Sequence, residues 1–91
     1  MLKKILLLLL TVGFVSANTP KVILITGTAY GIGRSTAEYL LDKGHIVYGG
    51  DILVDENLYL NDIGGIAIEM DVTNQEHVDN AISKIIAEQG R

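Results

Sequence analysis

The run Thr26-Gly27-Thr28-Ala29-Tyr30-Gly31-Ile32-Gly33 constrains this chain more than any other stretch. Before it stands Val22-Ile23-Leu24-Ile25, an apolar block rich in β-branched residues. After it comes Arg34 to Lys43, where Thr36, Ala37, Leu40 and Leu41 recur at helical spacing. Strand, glycine turn and helix in that order form the first unit of a doubly wound nucleotide-binding sheet. The three glycines have separate tasks there. Gly27 lets the chain leave the strand in a tight turn, Gly31 lacks the Cβ that would hold a pyrophosphate away, and Gly33 lets the helix lie close to the strand. The N–H groups and positive dipole end of that helix then face the phosphates. A P-loop is excluded by spacing: Thr28 stands where its first glycine is needed, and Arg34 where its lysine is needed.

The rest of the chain repeats the alternation. Lys43-Gly44 offers a cation and a glycine C-cap to the first helix. His45 to Tyr48 reads as the second strand, closed by Gly49-Gly50-Asp51, and Leu53 to Asn61 carries a weak helical pattern before a turn over Asp62 to Gly65. Ile66 to Met70 is the third strand. Thr73-Asn74-Gln75-Glu76 has the form of a capping box, and the helix it opens is expected to bury Val78, Ala81, Ile82, Ile85 and Ile86. The first strand is apolar from Val22 to Ile25, which predicts cover on both faces. The expected fold is therefore α/β, a Rossmann-like doubly wound parallel sheet that stops after its third strand and the following helix.

The N-terminus is of another kind. Met1-Leu2-Lys3-Lys4 is a basic head, Ile5 to Val15 an apolar run, and Val15-Ser16-Ala17 a site for cleavage after Ala17. This is the build of a secretory signal peptide over residues 1–17, ahead of a nucleotide-binding portion over residues 18–91. A membrane-spanning helix needs about 20 apolar residues, more than this glycine-interrupted run supplies. With Lys3 and Lys4 held in the cytosol, a cleaved leader and an uncleaved anchor both export the rest of the chain. Without the leader, five basic residues face eleven acidic ones, a charge of −6. That balance argues against nucleic acid or an anionic membrane as a partner. No cysteine is present, which excludes disulfides, thiolate metal sites and a lipoprotein anchor. His45 and His77 lie far apart with no ligand partner at useful spacing, so both read as structural or solvated.

Asp51 lies 24 residues past Gly27, at the end of the second strand. An acidic side chain there can accept hydrogen bonds from the hydroxyls of an adenosine ribose; the plainer alternative is a loop aspartate like Asp55 or Glu56. Asp71 can likewise open an Asx-type turn.

Thr26 to Gly33 matches, at every fixed position, the T-G-x-x-x-G-I-G pattern of the short-chain dehydrogenase/reductase family, and the resemblance extends over residues 21 to 91. It implies an oxidoreductase that moves hydride between a nicotinamide cofactor and an alcohol or carbonyl, oligomeric in its full-length members. It also implies that Asp71-Val72 contacts the adenine. An acidic residue at Asp51 goes with NAD, and Tyr30 stands where NADP-preferring members often carry a basic residue. A 2′-phosphate beside Asp51 would meet repulsion of roughly 1–4 kcal/mol at about 4 Å, although Arg34 near the loop is placed to offset part of it. The candidate cofactor-binding residues are Gly27, Thr28, Tyr30, Gly31, Ile32, Gly33, Asp51, Ile52, Asp71 and Val72.

The family's Asn-Asn-Ala-Gly motif, catalytic serine and Tyr-x-x-x-Lys pair belong to later strands, so no catalytic residue is assigned. Tyr39 and Lys43 fit Tyr-x-x-x-Lys by letter, but Tyr39 lies six residues past Gly33, roughly 9 Å along the helix and away from the strand ends where ligands bind. The 91 residues by themselves are expected to be inactive, with the first strand left as an open, aggregation-prone edge. A non-catalytic nucleotide-binding module and an inactive truncated product are the competing readings. For the leader, the expected outcome is exported protein beginning at Asn18; intact Met1 on soluble cytosolic protein, read by mass spectrometry, would refute it.

Overall fold

Three parallel strands in the order β1-β2-β3 build the sheet in the computed structural model, which describes residues 19–90. They are β1 (Val22–Thr26), β2 (Ile46–Asp51) and β3 (Ile66–Glu69), connected by α1 (Gly31–Asp42) and by two one-turn helices, α2 (Val54–Asn57) and α3 (Tyr59–Asp62). A longer helix, α4 (Gln75–Gln89), comes after β3. Val22 pairs with Ile46 and Thr26 with Gly50, while Tyr48 pairs with Ile66 and Asp51 with Glu69. All three strands thus end together, and their carboxyl ends form one rim. The leader predicted over residues 1–17 lies outside the described residues.

The two faces of the sheet are covered unequally. On one, Ile23, Ile25 and Val47 pack against Ala37 and Leu40 of α1 and Leu60 of α3, all nearly free of solvent. The side chains two apart on each strand make this face, as the pleat requires. On the other face α4 buries only Ala81 and Ile85, while Ile82 and Ile86 stay about half exposed. The five-residue stripe read from sequence is therefore only partly used. Val22 and Leu24 beneath it are half-buried rather than covered, and a cavity of about 490 Å³ lies between them and Ile82, Ile85 and Ile86.

Several boundaries differ from the sequence reading. The helix α1 begins at Gly31, three residues before Arg34, because Gly31, at positive φ, turns the chain from the extended Tyr30 straight into the helix. Gly49 and Gly50 do not close β2 but lie within it, both buried. A Cβ at Gly49 would strike Leu60 and the Thr28 hydroxyl, and one at Gly50 would come within 2.6 Å of Met70 Cε. The Thr73–Glu76 capping box does not form. Asn74 is the N-cap and accepts from the His77 N–H at 3.3 Å, while the Thr73 hydroxyl donates to Asp71 at 2.6 Å. Asn competes well with Thr for this position, and the nearby Asp71 carboxylate offers the hydroxyl a charged acceptor. Both histidines are structural: His45 Nδ1 accepts from the Lys21 N–H and His77 Nδ1 from the Asp71 N–H.

A polar clasp holds the far end of α4. The fully buried Tyr48 donates its hydroxyl to Glu88 at 2.7 Å and accepts from Gln89 at 3.0 Å, and Lys84 donates to Glu88 at 2.8 Å. Burial raises the Tyr48 pKa, whereas the bonds from Lys84 and Tyr48 hold Glu88 below its ordinary value. A carboxylate with a depressed pKa contributes stability above its ordinary pKa and loses it as pH falls through the lowered one. Thermal melting should therefore show Glu88→Gln below wild type at pH 7. The gap should close as pH drops below the ordinary glutamate value of 4.5.

Candidate functional site

The chain leaves β1 at Gly27, which has φ +79° and donates its N–H to the Gly50 carbonyl at 2.7 Å. This ties the start of the loop to the end of β2. The loop then runs through Thr28, Ala29 and Tyr30 into α1. Gly31 has φ +63°, and the space its Cβ would take is open. Gly33 is the opposite case, because a Cβ there would overlap the Gly27 carbonyl. Helix and loop thus touch backbone to backbone, as the spacing of the glycines predicts.

The start of α1 is left without a cap of its own. Tyr30 is the extended N-cap residue, its side chain makes no capping bond, and no acidic residue lies in the first turn. The N–H groups of that turn and the positive helix end are then available to an anion. Tyr30 and Ile32 flank them with exposed side chains.

Asp51 stands beside the loop with both oxygens placed. Its Oδ2 accepts from the Ala29 N–H at 3.0 Å and its Oδ1 from the Leu53 N–H at 2.9 Å. Each carboxylate oxygen can accept a second bond, so both remain able to meet a ligand hydroxyl. A groove of about 100 Å³ at the strand ends is lined by Gly27, Gly50, Asp51, Ile52, Met70, Asp71 and Val72. It joins the predicted residues of all three strand ends. Asp71 also makes the Asx turn: Oδ1 accepts from the Thr73 N–H and hydroxyl, which holds its pKa below the ordinary value. Both bonds fall on one oxygen, which leaves Oδ2 for a ligand.

The sequence reading missed the residues beneath the loop. Asn57, almost fully buried, accepts from the Thr28 hydroxyl at 2.7 Å and donates to the Gly49 carbonyl at 2.9 Å. The Tyr59 hydroxyl donates to the Thr28 carbonyl at 2.6 Å. Arg34 lies 3.9 Å over the Tyr59 ring and 3.5 Å from Glu38, so it is engaged within the chain. Tyr39 and Lys43 sit at the far end of α1, with the ammonium 5.4 Å from the exposed ring. No group of acidic or histidine side chains among the described residues could hold a metal ion, and no helix among them is long and apolar enough to cross a membrane.

Uncapped N–H donors, a carboxylate held by two backbone N–H groups and a groove bordered by Ile52 and Val72 thus meet at one rim of the sheet. The short chain dehydrogenase family profile matches residues 21–91, and the chain belongs to that family. It is 45% identical over 73 residues to a 3-ketodihydrosphingosine reductase of Bacteroides thetaiotaomicron, covering 79% of this chain and 25% of that protein. An NAD-dependent glycerol dehydrogenase of Listeria innocua is 33% identical over 70 residues, covering 74% of this chain and 28% of the relative. A solved short-chain dehydrogenase from Streptomyces avermitilis superposes with a TM-score of 0.71 at 30% identity, over 80% of this chain and 28% of that one. At 24% identity, a 3-ketoacyl-(acyl-carrier-protein) reductase from Brucella melitensis complexed with NADH shares the fold, with a TM-score of 0.74. The chain spans about a quarter of the length of the curated relatives it matches.

The Gly33 contact sets an expectation for stability. Gly33→Ala should cost about 1–3 kcal/mol, the range for forcing a methyl into a packed site, read as a shift in denaturant midpoint. Gly31→Ala, in open space at positive φ, should cost less than Gly33→Ala.

Proposed function

We propose that this chain is the adenosine- and pyrophosphate-binding part of an NAD-dependent short-chain oxidoreductase, exported by its leader. The observation that carries the reading is the Asp51 carboxylate, fixed at the end of β2 between the glycine loop and the groove. The uncapped turn of α1 would hold the pyrophosphate through backbone N–H groups of Gly31, Ile32 and Gly33. Asp51 would accept from the ribose hydroxyls, and Ile52 and Val72 would cover the two faces of the adenine, with Asp71 at its edge. The bound nicotinamide supplies hydride exchange with an alcohol or carbonyl carbon. The chain's own residues bind and orient; the proton-transfer groups belong to the remainder of such an enzyme.

NAD is favoured over NADP on electrostatic grounds. Asp51 would face the 2′-phosphate, and Arg34 is held by Tyr59 and Glu38 rather than aimed at it. The Listeria innocua relative is NAD-dependent by name, which supports the same choice. The substrate class remains that of the family, since the groove described here meets only the adenosine end.

Calorimetry with NAD and NADP on the protein carrying this chain tests the assignment. Unmutated protein should prefer NAD. Asp51→Ala should lose at least about 1.5–3 kcal/mol of NAD affinity, the scale of a hydrogen bond to a charged group, and narrow the gap to NADP. Equal affinities before mutation would refute the role of Asp51.

A further inference from the structure

The peptide between Thr28 and Ala29 is gripped at both ends by side chains from elsewhere in the chain. Its carbonyl accepts from the Tyr59 hydroxyl at 2.6 Å and its N–H donates to Asp51 Oδ2 at 3.0 Å. Because a trans peptide points its C=O and N–H in opposite directions, the two bonds together define the plane. Rotating it by half a turn would break both and bring a carbonyl dipole toward the Asp51 carboxylate. The Thr28 side chain is held as well, through Asn57, whose amide also bonds the Gly49 carbonyl of the central strand. Tyr59 itself is fixed by Arg34 stacked on its ring.

Nothing within the loop explains this. Gly27 and Gly31 both have positive φ, so the segment between them is flanked by two residues of wide backbone freedom. Left alone, such a loop would sample several orientations of its N–H groups, and ordering them would oppose anion binding. The side chains of the short α2–α3 connection remove that freedom before any ligand arrives. We propose that Asn57 and Tyr59 are positioning residues that lock the 28–29 peptide, and with it the phosphate-facing loop, in its binding orientation without touching the ligand. The part of this that concerns phosphates rests on the dinucleotide reading above. The Asp51 carboxylate serves loop and ribose together, so removing it should weaken phosphate binding as well as ribose binding.

Two substitutions remove one hydroxyl each and keep the shape: Tyr59→Phe and Thr28→Val. Hydrogen exchange monitored by mass spectrometry, without ligand, should show the segment containing Ala29 exchanging about tenfold faster in both, the scale of one net hydrogen bond. Exchange across Val47 and Tyr48 of β2 should stay as in wild type. Titration with NAD and with adenosine should show NAD weakened by about tenfold and adenosine, which has no phosphate, little changed. Thr28→Ser should restore the protection and affinity that Thr28→Val loses. Unchanged exchange at Ala29 would overturn the lock whatever the binding data, and faster exchange throughout β2 would reduce Asn57 and Tyr59 to general structural roles. If unmutated protein binds neither ligand, the dinucleotide reading falls, while the exchange at Ala29 still decides the lock.

Discussion

Everything at the ligand end of this chain depends on one close approach, that of Gly33 in α1 to the carbonyl of Gly27 in the loop. No side chain separates the two backbones. The contact fixes how near α1 lies to β1, and so where its first-turn N–H groups stand relative to the strand ends. The bond from the Gly27 N–H to the Gly50 carbonyl then sets the loop over β2. The helix start and the Gly27 end of the loop are thereby positioned by main-chain geometry, and the 28–29 peptide beyond them by side-chain hydrogen bonds. Backbone contacts of this kind tolerate little adjustment, since neither partner has a rotamer to change.

Legibility in the sequence divides along the same line. Glycines, β-branched runs and helical periodicity speak about the main chain, and they give the order of β1, loop, α1 and β3, with the start of α1 three residues late. The place of Asp51 at the end of β2 is legible because its distance from Gly27 is set by the length of one strand-helix-strand unit. Asn57 and Tyr59 are not, because a polar residue in a weakly periodic connection has no distinguishing pattern. Their importance arises from partners 29 and 31 residues away in Thr28. A glycine pair at the end of a strand reads as punctuation, yet Gly49 and Gly50 stay in β2 because Leu60, Thr28 and Met70 occupy the space above and below them. The capping box fails for a local reason: Thr73 and Asn74 are both good caps, and Asp71 captures the first of them.

Electrostatics at the site is arranged so that charge is held rather than free. Asp51 accepts two backbone N–H groups, Asp71 accepts from Thr73, and Arg34 is occupied by Glu38 and the Tyr59 ring. Each of these groups has fixed geometry before a ligand is present, which lowers the ordering cost of binding. Thr26 is the exception. Its hydroxyl is buried at the end of β1 with no hydrogen-bond partner among the described residues, a cost of about 1–3 kcal/mol where no acceptor is supplied.

The unequal cover of the two sheet faces has a consequence for the order of assembly. The face carrying α1 and α3 is closed by a continuous apolar cluster drawn from residues 23 to 60. The other is held by Ala81, Ile85 and the Tyr48–Glu88 clasp at one end of α4. A folding nucleus gathers where apolar contacts are dense and loops to be closed are short. On that ground β1, α1, β2 and α3 would form the nucleus, and α4 would dock after them. The glycine loop would then be shaped before α4 arrives, with Asn57 and Tyr59 already beneath it. In a chain that emerges N-terminus first, the glycine loop would thus be complete while α4 was still being made.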